Sequence, residues 1–357
     1  MTIAVERLRR LPKTELHVHL DGSVRPDTLL ELAHERGLQL AAKDPVSLAA
    51  HMHVTDARNL VDYLARFDIT LAVMQSAHAL ERIAYELAED LANENVRYAE
   101  VRFCPALNVR EGLTLEATLD ASLRGLERAG EDHGIRSGVI VCALRNLPLD
   151  TSIRLAELAA AYRGRGIVAF DLAGPEDGHP PADHIEAFRI VMDANLPLTI
   201  HAGEAYGTAS IQQAVHTCGA RRIGHGTRLV EDSNLLAYVN DFRIPIEVCL
   251  TSNVQTRVTP SYAEHPLRQM YDEGLVVTLC TDNRLMSATT VTDEYVYAHR
   301  HLAFDWEELC DVALMGFEAA FLPHADKVEM VERAGEEIEA LGYGSGEWSV
   351  EGGEWGS

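Results

Sequence analysis

Eight short apolar runs, rich in Val and Ile, recur along this chain and are separated by segments with helical spacing. Runs of this length and composition are typical of buried parallel strands. They cover residues 14–19, 96–103, 138–144, 167–172, 197–201, 221–224, 244–249 and 276–281. Eight parallel strands with intervening helices form a (β/α)8 barrel, for which about 250 residues is typical before insertions. The sequence therefore predicts one α/β domain with the TIM-barrel fold, and no linker divides its 357 residues.

A long connection after the first run predicts extra helices. Residues 20–95 separate the first two predicted strands, which is too long for a single helix. Apolar residues recur there at helical spacing, namely Leu60, Leu64, Phe67, Leu71 and Met74. Most stripes of this kind are ordinary core. The functional alternative is that Tyr63 and Phe67, one turn apart, form an apolar wall over a substrate, since some of these helices are expected to cover the barrel mouth.

Further helical patterns follow the eighth predicted strand, near residues 292–301, 306–317 and 326–341. The last sixteen residues, 342–357, contain six glycines and show no periodicity. We therefore expect a single barrel domain over residues 1–341, with extra helices at its C-terminus, followed by a disordered tail.

The charge balance limits the class of partner. Asp and Glu outnumber Lys and Arg by 55 to 31, which gives a formal net charge of −24. This charge would repel nucleic acid and acidic membrane surfaces, because clustered Lys and Arg recognise both. No run of about 18 apolar residues could span a bilayer. We expect a small-molecule partner, and neither a nucleic acid nor a membrane.

The cysteines indicate a reducing compartment. All six stand at least 30 positions apart and form no Cys-x-x-Cys pair. Four of them lie in or at the end of apolar runs, where a free thiol behaves as a small hydrophobic side chain. The first ten residues also have no apolar signal core. These observations predict a cytoplasmic protein with reduced cysteines.

Histidine and aspartate side chains end several predicted strands. His17 and His19 point to the same face of the first strand, roughly 6.5 Å apart, because side chains alternate between faces. His201 ends the fifth strand and Asp282 ends the eighth. Active sites of this fold lie at the C-terminal strand ends. Three nitrogens and one carboxylate oxygen suit a single zinc ion with room for water, so these four residues are the predicted ligands.

Two further side chains near these strand ends could transfer protons. Glu204 follows His201 by three residues, and a partly desolvated carboxylic acid there could protonate a substrate ring nitrogen. The alternative is a glutamate stabilised by a helix N-terminus. His225 lies between two glycines at the end of the sixth strand. It could be a fourth histidine ligand, a base for the bound water or a structural hydrogen-bonding residue, and the base or orienting role is favoured.

Taken together, these motifs resemble the adenosine deaminase family, the zinc-dependent adenosine and AMP deaminases of the amidohydrolase superfamily. The likeness runs from about Leu11 to Pro323. It is carried by His17-Val-His-Leu-Asp-Gly22, Glu100-Val-Arg-Phe-Cys-Pro105, Asp171-Leu-Ala-Gly174, His201-Ala-Gly-Glu204, Gly224-His-Gly226, Cys249-Leu-Thr-Ser-Asn253 and Thr281-Asp-Asn283. Relatives with two metals bridge them with a modified lysine at the end of strand four. Strand four here ends without a lysine, so one metal ion is expected.

The resemblance implies a role for each candidate residue. His17, His19, His201 and Asp282 would bind zinc, and Glu204 would protonate the purine nitrogen next to the amino-bearing carbon. His225 and Asp282 would orient the attacking hydroxide. The main chain of Gly174 would hold the purine, while Asp21 and His19 would lie near the ribose hydroxyl. The implied enzyme is a hydrolase of purine salvage that converts adenosine and 2′-deoxyadenosine to their inosine forms and ammonia.

One position departs from the common pattern of the family. Many members have a second aspartate where this chain has Asn283, at the contact to purine nitrogen 7. That nitrogen is an acceptor and an amide can donate to it, so Asn283 is compatible with the contact. Related deaminases act on adenine, on nucleoside monophosphates and on aminofutalosine, which stay open as alternatives. A non-catalytic barrel that binds a nucleoside or a protein is a further alternative of another class.

Overall fold

The computed structural model describes residues 3–55, 63 and 66–343 and contains all eight predicted strands. They are β1 (Lys13–His19), β2 (Val96–Phe103), β3 (Arg136–Leu144), β4 (Ile167–Ala173), β5 (Thr199–Ala202), β6 (Arg222–His225), β7 (Ile246–Val248) and β8 (Val277–Leu279). Their ends differ from the predicted ones by no more than two residues. The apolar runs therefore located the strands well.

The strands form two parallel halves that join into a barrel. Strands β1 to β4 pair in order, as do β5 to β8. An isolated parallel bridge between Val18 and Asp282 connects β1 to the segment after β8, and a second between Phe170 and Leu198 connects β4 to the segment before β5. At the first seam the amide of His19 donates to the carbonyl of Asp282 at 2.7 Å. The predicted TIM barrel is confirmed.

Helices fill the connections between the strands. They are α1 (Val5–Arg10), α2 (Pro26–Glu35), α3 (Pro45–Met52), α4 (Phe67–Val73), α5 (Ala77–Ala92), α6 (Leu115–His133), α7 (Leu149–Ala161), α8 (Ile185–Asp193), α9 (Thr208–Gln212), α10 (Ser233–Asp241), α11 (Leu250–Gln255), α12 (Leu267–Asp272), α13 (Arg284–Ser287), α14 (Val291–Leu302), α15 (Trp306–Ala319) and α16 (His324–Ala340). Short 3-10 turns lie at Pro105–Leu107, Pro181–His184, Thr227–Glu231 and Tyr262–Glu264, and a π-helical turn lies at Gln213–Thr217.

The extra helices lie where the sequence predicts them. Helices α2 to α5 fill the long connection after β1, and α14 to α16 match the three predicted C-terminal helices. Phe67 and Leu71 of the predicted apolar stripe lie in α4, whereas Leu60 and Leu64 lie outside the described residues. Residues 344–357 of the predicted tail lie outside them as well.

Two other predictions concern the cysteines and membrane-spanning segments. All six cysteines are buried free thiols, including the four that lie in or at the end of apolar runs. Within the described part of the chain, no helix is both long and apolar enough to cross a membrane.

Charged side chains, and not aliphatic ones alone, fill the interior of the barrel. The carboxylate of Glu247 on β7 accepts from Arg222 on β6 at 2.6 Å, from Arg102 on β2 at 2.9 Å and from Thr199 on β5 at 2.8 Å. It also contacts Nδ1 of His17 at 2.7 Å. Removal of one partner from a buried ion pair is costly, because the other charge is then left without compensation. The network therefore fixes β1 relative to the opposite half of the barrel.

We expect the variant Glu247→Gln to lower the free energy of unfolding by about 3 kcal/mol, because two buried guanidinium groups would lose their shared carboxylate. Urea titration in the presence of a chelator measures this loss separately from any loss of metal affinity. The matched control is Glu231→Gln, since Glu231 is half exposed and pairs with Arg228 at 2.9 Å. That change should cost less than about 1 kcal/mol. Equal losses in the two variants would contradict a structural role for the network.

Candidate metal centre and active site

The predicted metal ligands meet at the C-terminal rim of the barrel. His17 and His19 lie near the end of β1, His201 lies in β5, and His225 is the last residue of β6. Asp282 follows β8 by three residues. Because the carboxyl ends of parallel barrel strands share one rim, residues far apart in the sequence converge there.

Five side chains, one more than the predicted ligand set, converge closely. Candidate ligand atoms of His17, His201, His225 and Asp282 lie within 4.8 Å of one another, and all four residues are buried. Nε2 of His19 lies 3.2 Å from Nε2 of His201 and 3.3 Å from Oδ1 of Asp282. Every predicted ligand is thus in the cluster, but His225 is present too, and which four bind a metal stays a prediction at this point.

Two of these residues have an unusual, left-handed backbone conformation, which sets the direction of their side chains. His225 has φ of 63° and Asp282 has φ of 59°, which is the left-handed region that non-glycine residues rarely adopt. Each such residue costs about 1–3 kcal/mol and persists where the surroundings impose it, commonly at functional sites. Gly224 assists, because a Cβ at this position would lie 3.1 Å from Cε1 of His17. The rim is therefore shaped to pack imidazole rings closely.

Three of the candidate ligands are oriented by partners on their far side. Glu247 contacts His17 Nδ1 at 2.7 Å, Asp171 contacts His201 Nδ1 at 3.1 Å, and Ser252 donates to Asp282 Oδ2 at 2.6 Å. Such partners fix the tautomer and direction of metal-binding side chains in proteins. In the sequence, Asp171 and Glu247 are each a single acidic residue within an apolar strand run, a pattern that does not reveal which histidine each one contacts.

The protonation states of these groups fit a bound cation. Burial lowers the pKa of His201, and it lowers the pKa of His19 well below the usual range, so both rings are neutral. Burial opposes the ionisation of Asp282, yet the close imidazoles of His17, His19 and His225 hold its pKa well below normal. Nε2 of His17 is buried without a protein hydrogen-bond partner. The neutral imidazoles of His19 and His201, the ionised carboxylate of Asp282 and the unpaired Nε2 of His17 are groups that can bind a metal ion.

A cavity of about 250 Å³ opens beside the cluster. It is lined by every residue predicted to contact substrate or to transfer protons: His19, Asp21, Tyr63, Phe67, Gly174, Glu204, His225 and Asn283. The rings of Tyr63 and Phe67 lie 6.3 Å apart, and Tyr63 is buried. The structure therefore brings the predicted apolar wall and the predicted polar residues to one cavity.

Two carboxyl oxygens at this cavity have no protein partner. Oδ1 of Asp21 and Oε1 of Glu204 are buried and make no hydrogen bond. Buried polar atoms are normally paired, so these atoms mark positions where a ligand supplies the partner. Burial raises the pKa of Asp21 to about 7 and the pKa of Glu204 well above the usual range. Burial therefore favours the protonated form of Glu204.

The loop that carries Glu204 is held by a residue that sequence reasoning missed. The carboxylate of Glu176 accepts hydrogen bonds from the amides of Gly203 at 2.6 Å, Ala205 at 2.7 Å and Tyr206 at 2.9 Å. Three amide donors fix the backbone on both sides of Glu204. The only sequence signal was an acidic residue shortly after β4, in Gly174-Pro-Glu176, and that pattern alone does not reveal a contact 27 residues away.

Buried imidazoles and an aspartate at the rim of a TIM barrel, beside a cavity with a protonated acid, define a metal-dependent hydrolase. A family model described as adenosine deaminase matches residues 12–337. The chain belongs to the adenosine deaminase family.

Individual relatives agree with this assignment. The chain is 40% identical over 348 residues to an adenosine deaminase from Mycobacterium sp. (strain JLS), covering 92% of this chain and 96% of the relative. The chain is also 40% identical over 329 residues to a probable adenosine deaminase from Dictyostelium discoideum. That alignment covers 92% of this chain but only 43% of the relative.

Solved structures share the fold. An adenine deaminase from Arthrobacter aurescens superimposes with a TM-score of 0.86 at 26% identity and covers 92% of this chain and 99% of its own. An amidohydrolase from Burkhoderia ambifaria with bound Zn superimposes with a TM-score of 0.85 at 26% identity, covering 96% and 94% respectively.

We expect Ser252→Ala to weaken zinc binding about 10-fold, because Asp282 would lose the hydroxyl that orients it. Competition with a chromogenic chelator measures the affinity. Ser261→Ala is the matched control, since its hydroxyl bonds to Glu264 on the surface. Equal affinity in both variants and the unmodified protein would show that Ser252 does not support a metal ligand.

Proposed function

We propose that this protein is a zinc-dependent enzyme that hydrolytically deaminates adenosine and 2′-deoxyadenosine to inosine, 2′-deoxyinosine and ammonia, in cytoplasmic purine salvage. One observation carries the proposal: a protonated Glu204 and a cluster of metal-binding side chains line the same cavity. The adenosine deaminases that resemble the chain at 40% identity support the choice of substrate.

His17, His19, His201 and Asp282 would hold one zinc ion. When bound, zinc lowers the pKa of a water molecule toward neutrality and so supplies a nucleophile without a strong base. The protein would contribute the fixed direction of each ligand, since Glu247, Asp171 and Ser252 already orient three of them.

Glu204 would act as the general acid. Its carboxyl keeps its proton because burial and the nearby charge of Asp282 raise its pKa. Donation of that proton to the ring nitrogen beside the amino-bearing carbon makes the carbon more electrophilic when water attacks. His225 and Asp282 would direct the attacking oxygen. As the bond between the carbon and the amino nitrogen breaks, one proton of the attacking water passes to that nitrogen, which leaves as ammonia. The other proton of the water restores Glu204, and the proton that Glu204 donated stays on the ring nitrogen.

The remaining cavity residues would position the nucleoside. The amide of Asn283 would donate to purine nitrogen 7, and the main chain of Gly174 would contact the base. Asp21 and His19 would lie near the ribose hydroxyl, with Tyr63 and Phe67 as the apolar wall. Gly22 makes the site possible, because a Cβ there would lie 1.9 Å from Oδ1 of Asn283.

The charge of the cavity argues against a phosphorylated substrate. Among the described residues that line it, Arg110 is the one Arg or Lys, whereas Asp282 carries a negative charge. A nucleoside monophosphate would need a cluster of cationic donors for its phosphate. Adenine stays a second candidate, because an adenine deaminase shares the fold at a TM-score of 0.86.

Turnover of a substrate panel tests the proposal. The zinc-loaded protein is given adenosine, 2′-deoxyadenosine, adenine, AMP and aminofutalosine, and absorbance and ammonia release are followed. We expect rapid loss of both nucleosides with little reaction of AMP. Turnover of adenine or aminofutalosine alone would reject the nucleoside assignment, and no ammonia from any member of the panel would reject the enzyme itself.

We expect Glu204→Gln to keep its zinc and to lower kcat by about 10²–10⁴-fold, because an amide cannot supply the proton. Metal analysis and initial rates on adenosine measure the two effects separately. The exposed Glu231→Gln variant is again the control and should keep full activity. Full activity in Glu204→Gln would remove Glu204 from the role of acid.

A further inference from the structure

One ring nitrogen of His225, Nδ1, contacts the buried side-chain amide of Asn253. Nδ1 of His225 lies 3.0 Å from Nδ2 of Asn253 on α11, and both residues are buried. An imidazole nitrogen can donate or accept, depending on which ring nitrogen carries the proton. The direction of this hydrogen bond therefore decides which form His225 presents to the cavity.

A second histidine sets the orientation of the amide. The backbone N–H of Leu267 lies 3.1 Å from Nδ1 of His265. A backbone amide can only donate, so this ring nitrogen accepts and carries no proton. Burial lowers the pKa of His265 to about 3, so its ring is neutral and its single proton lies on Nε2. That Nε2 lies 3.1 Å from Oδ1 of Asn253.

These contacts form a series of hydrogen bonds in which the direction from donor to acceptor is fixed. Leu267 donates to His265, and His265 donates to the oxygen of Asn253. The NH2 group of Asn253 must then face His225 and donate to its Nδ1. An accepting Nδ1 leaves the proton of a neutral His225 on Nε2, the nitrogen on the cavity side, 3.7 Å from Oε2 of Glu204. A ring whose Nδ1 accepts a hydrogen bond cannot be the doubly protonated cation, so these contacts select the neutral form.

A protonated Nε2 limits the chemistry of His225. It has no lone pair for a metal ion, and it cannot accept a proton from water. It can donate a hydrogen bond to an oxygen that gains negative charge, which is how preorganised donors stabilise tetrahedral intermediates. Of the three roles that the sequence left open for His225, two are thereby excluded.

We propose that Asn253 and His265 are positioning residues that hold His225 in the Nε2–H tautomer, so that His225 is a hydrogen-bond donor to the attacking oxygen and neither a metal ligand nor a general base. This inference rests on the proposed deamination for its catalytic meaning.

The tautomer can be measured directly. In zinc-loaded protein with 15N-labelled histidine, two-bond correlation spectra distinguish a protonated ring nitrogen from an unprotonated one, and His225→Asn identifies the signals by their loss. We expect His225 to show a protonated Nε2 and an unprotonated Nδ1. A protonated Nδ1 or a metal-bound Nε2 would overturn the inference.

Two sets of variants test the relay, which here means the series of hydrogen bonds from Leu267 through His265 and Asn253 to His225. Asn253→Asp replaces the donor by an acceptor and should place a proton on Nδ1 of His225, whereas the exposed control Asn234→Asp should not. His265→Leu should lower kcat about 10-fold with KM unchanged, and His265→Gln, which keeps a donor, should restore kcat. An unprotonated Nδ1 in Asn253→Asp, or equal kcat in the two His265 variants, would contradict the relay.

The two proposals fail separately. The ring protons are observed without substrate, so a protein with the expected tautomer but no deaminase activity would refute only the proposed function. An active deaminase with a protonated Nδ1 on His225 would refute only the relay.

Discussion

The rest of the site depends on the hydrogen bonds and ion pairs of the Glu247 carboxylate. This carboxylate binds side chains from β1, β2, β5 and β6, and so connects both halves of the barrel to the first candidate metal ligand. Burial opposes its ionisation, but Arg102 and Arg222 hold its pKa well below the usual range. Because the charge persists at the centre of the barrel, His17 keeps one ring nitrogen paired and directs the other toward the cluster of candidate ligands.

Neighbouring charges, more than burial, decide which of the buried carboxyl groups are ionised. Asp171, Asp282 and Glu247 are as deeply buried as Glu204, yet contacts with guanidinium or imidazole groups lower their pKa values. Burial raises the pKa of Glu204, and the charge of Asp282 adds to this effect. One cavity can therefore contain ionised ligands beside a protonated acid, and such separated pKa values mark acid and base assignments in enzymes.

The sequence predicted the strands and the main site residues because each is a local signal: an apolar run, and a histidine or acid at its end. It could not predict Glu176, Asn253 or His265, whose importance comes from contacts across the fold. Asn253 meets a histidine 28 positions away, and no pattern in Leu-Thr-Ser-Asn253 indicates that partner. The left-handed backbone of His225 and Asp282 likewise follows from tertiary packing and not from residue type.

The most direct test of this account is a crystal structure of the zinc-loaded protein with inosine, phased at the zinc absorption edge. The account predicts one anomalous peak within bonding distance of His17, His19, His201 and Asp282. It also predicts Nε2 of His225 outside that shell, within hydrogen-bond distance of the purine oxygen. An anomalous peak within bonding distance of His225, or two metal peaks, would contradict the account, in which one zinc ion is bound and His225 is a hydrogen-bond donor and not a ligand.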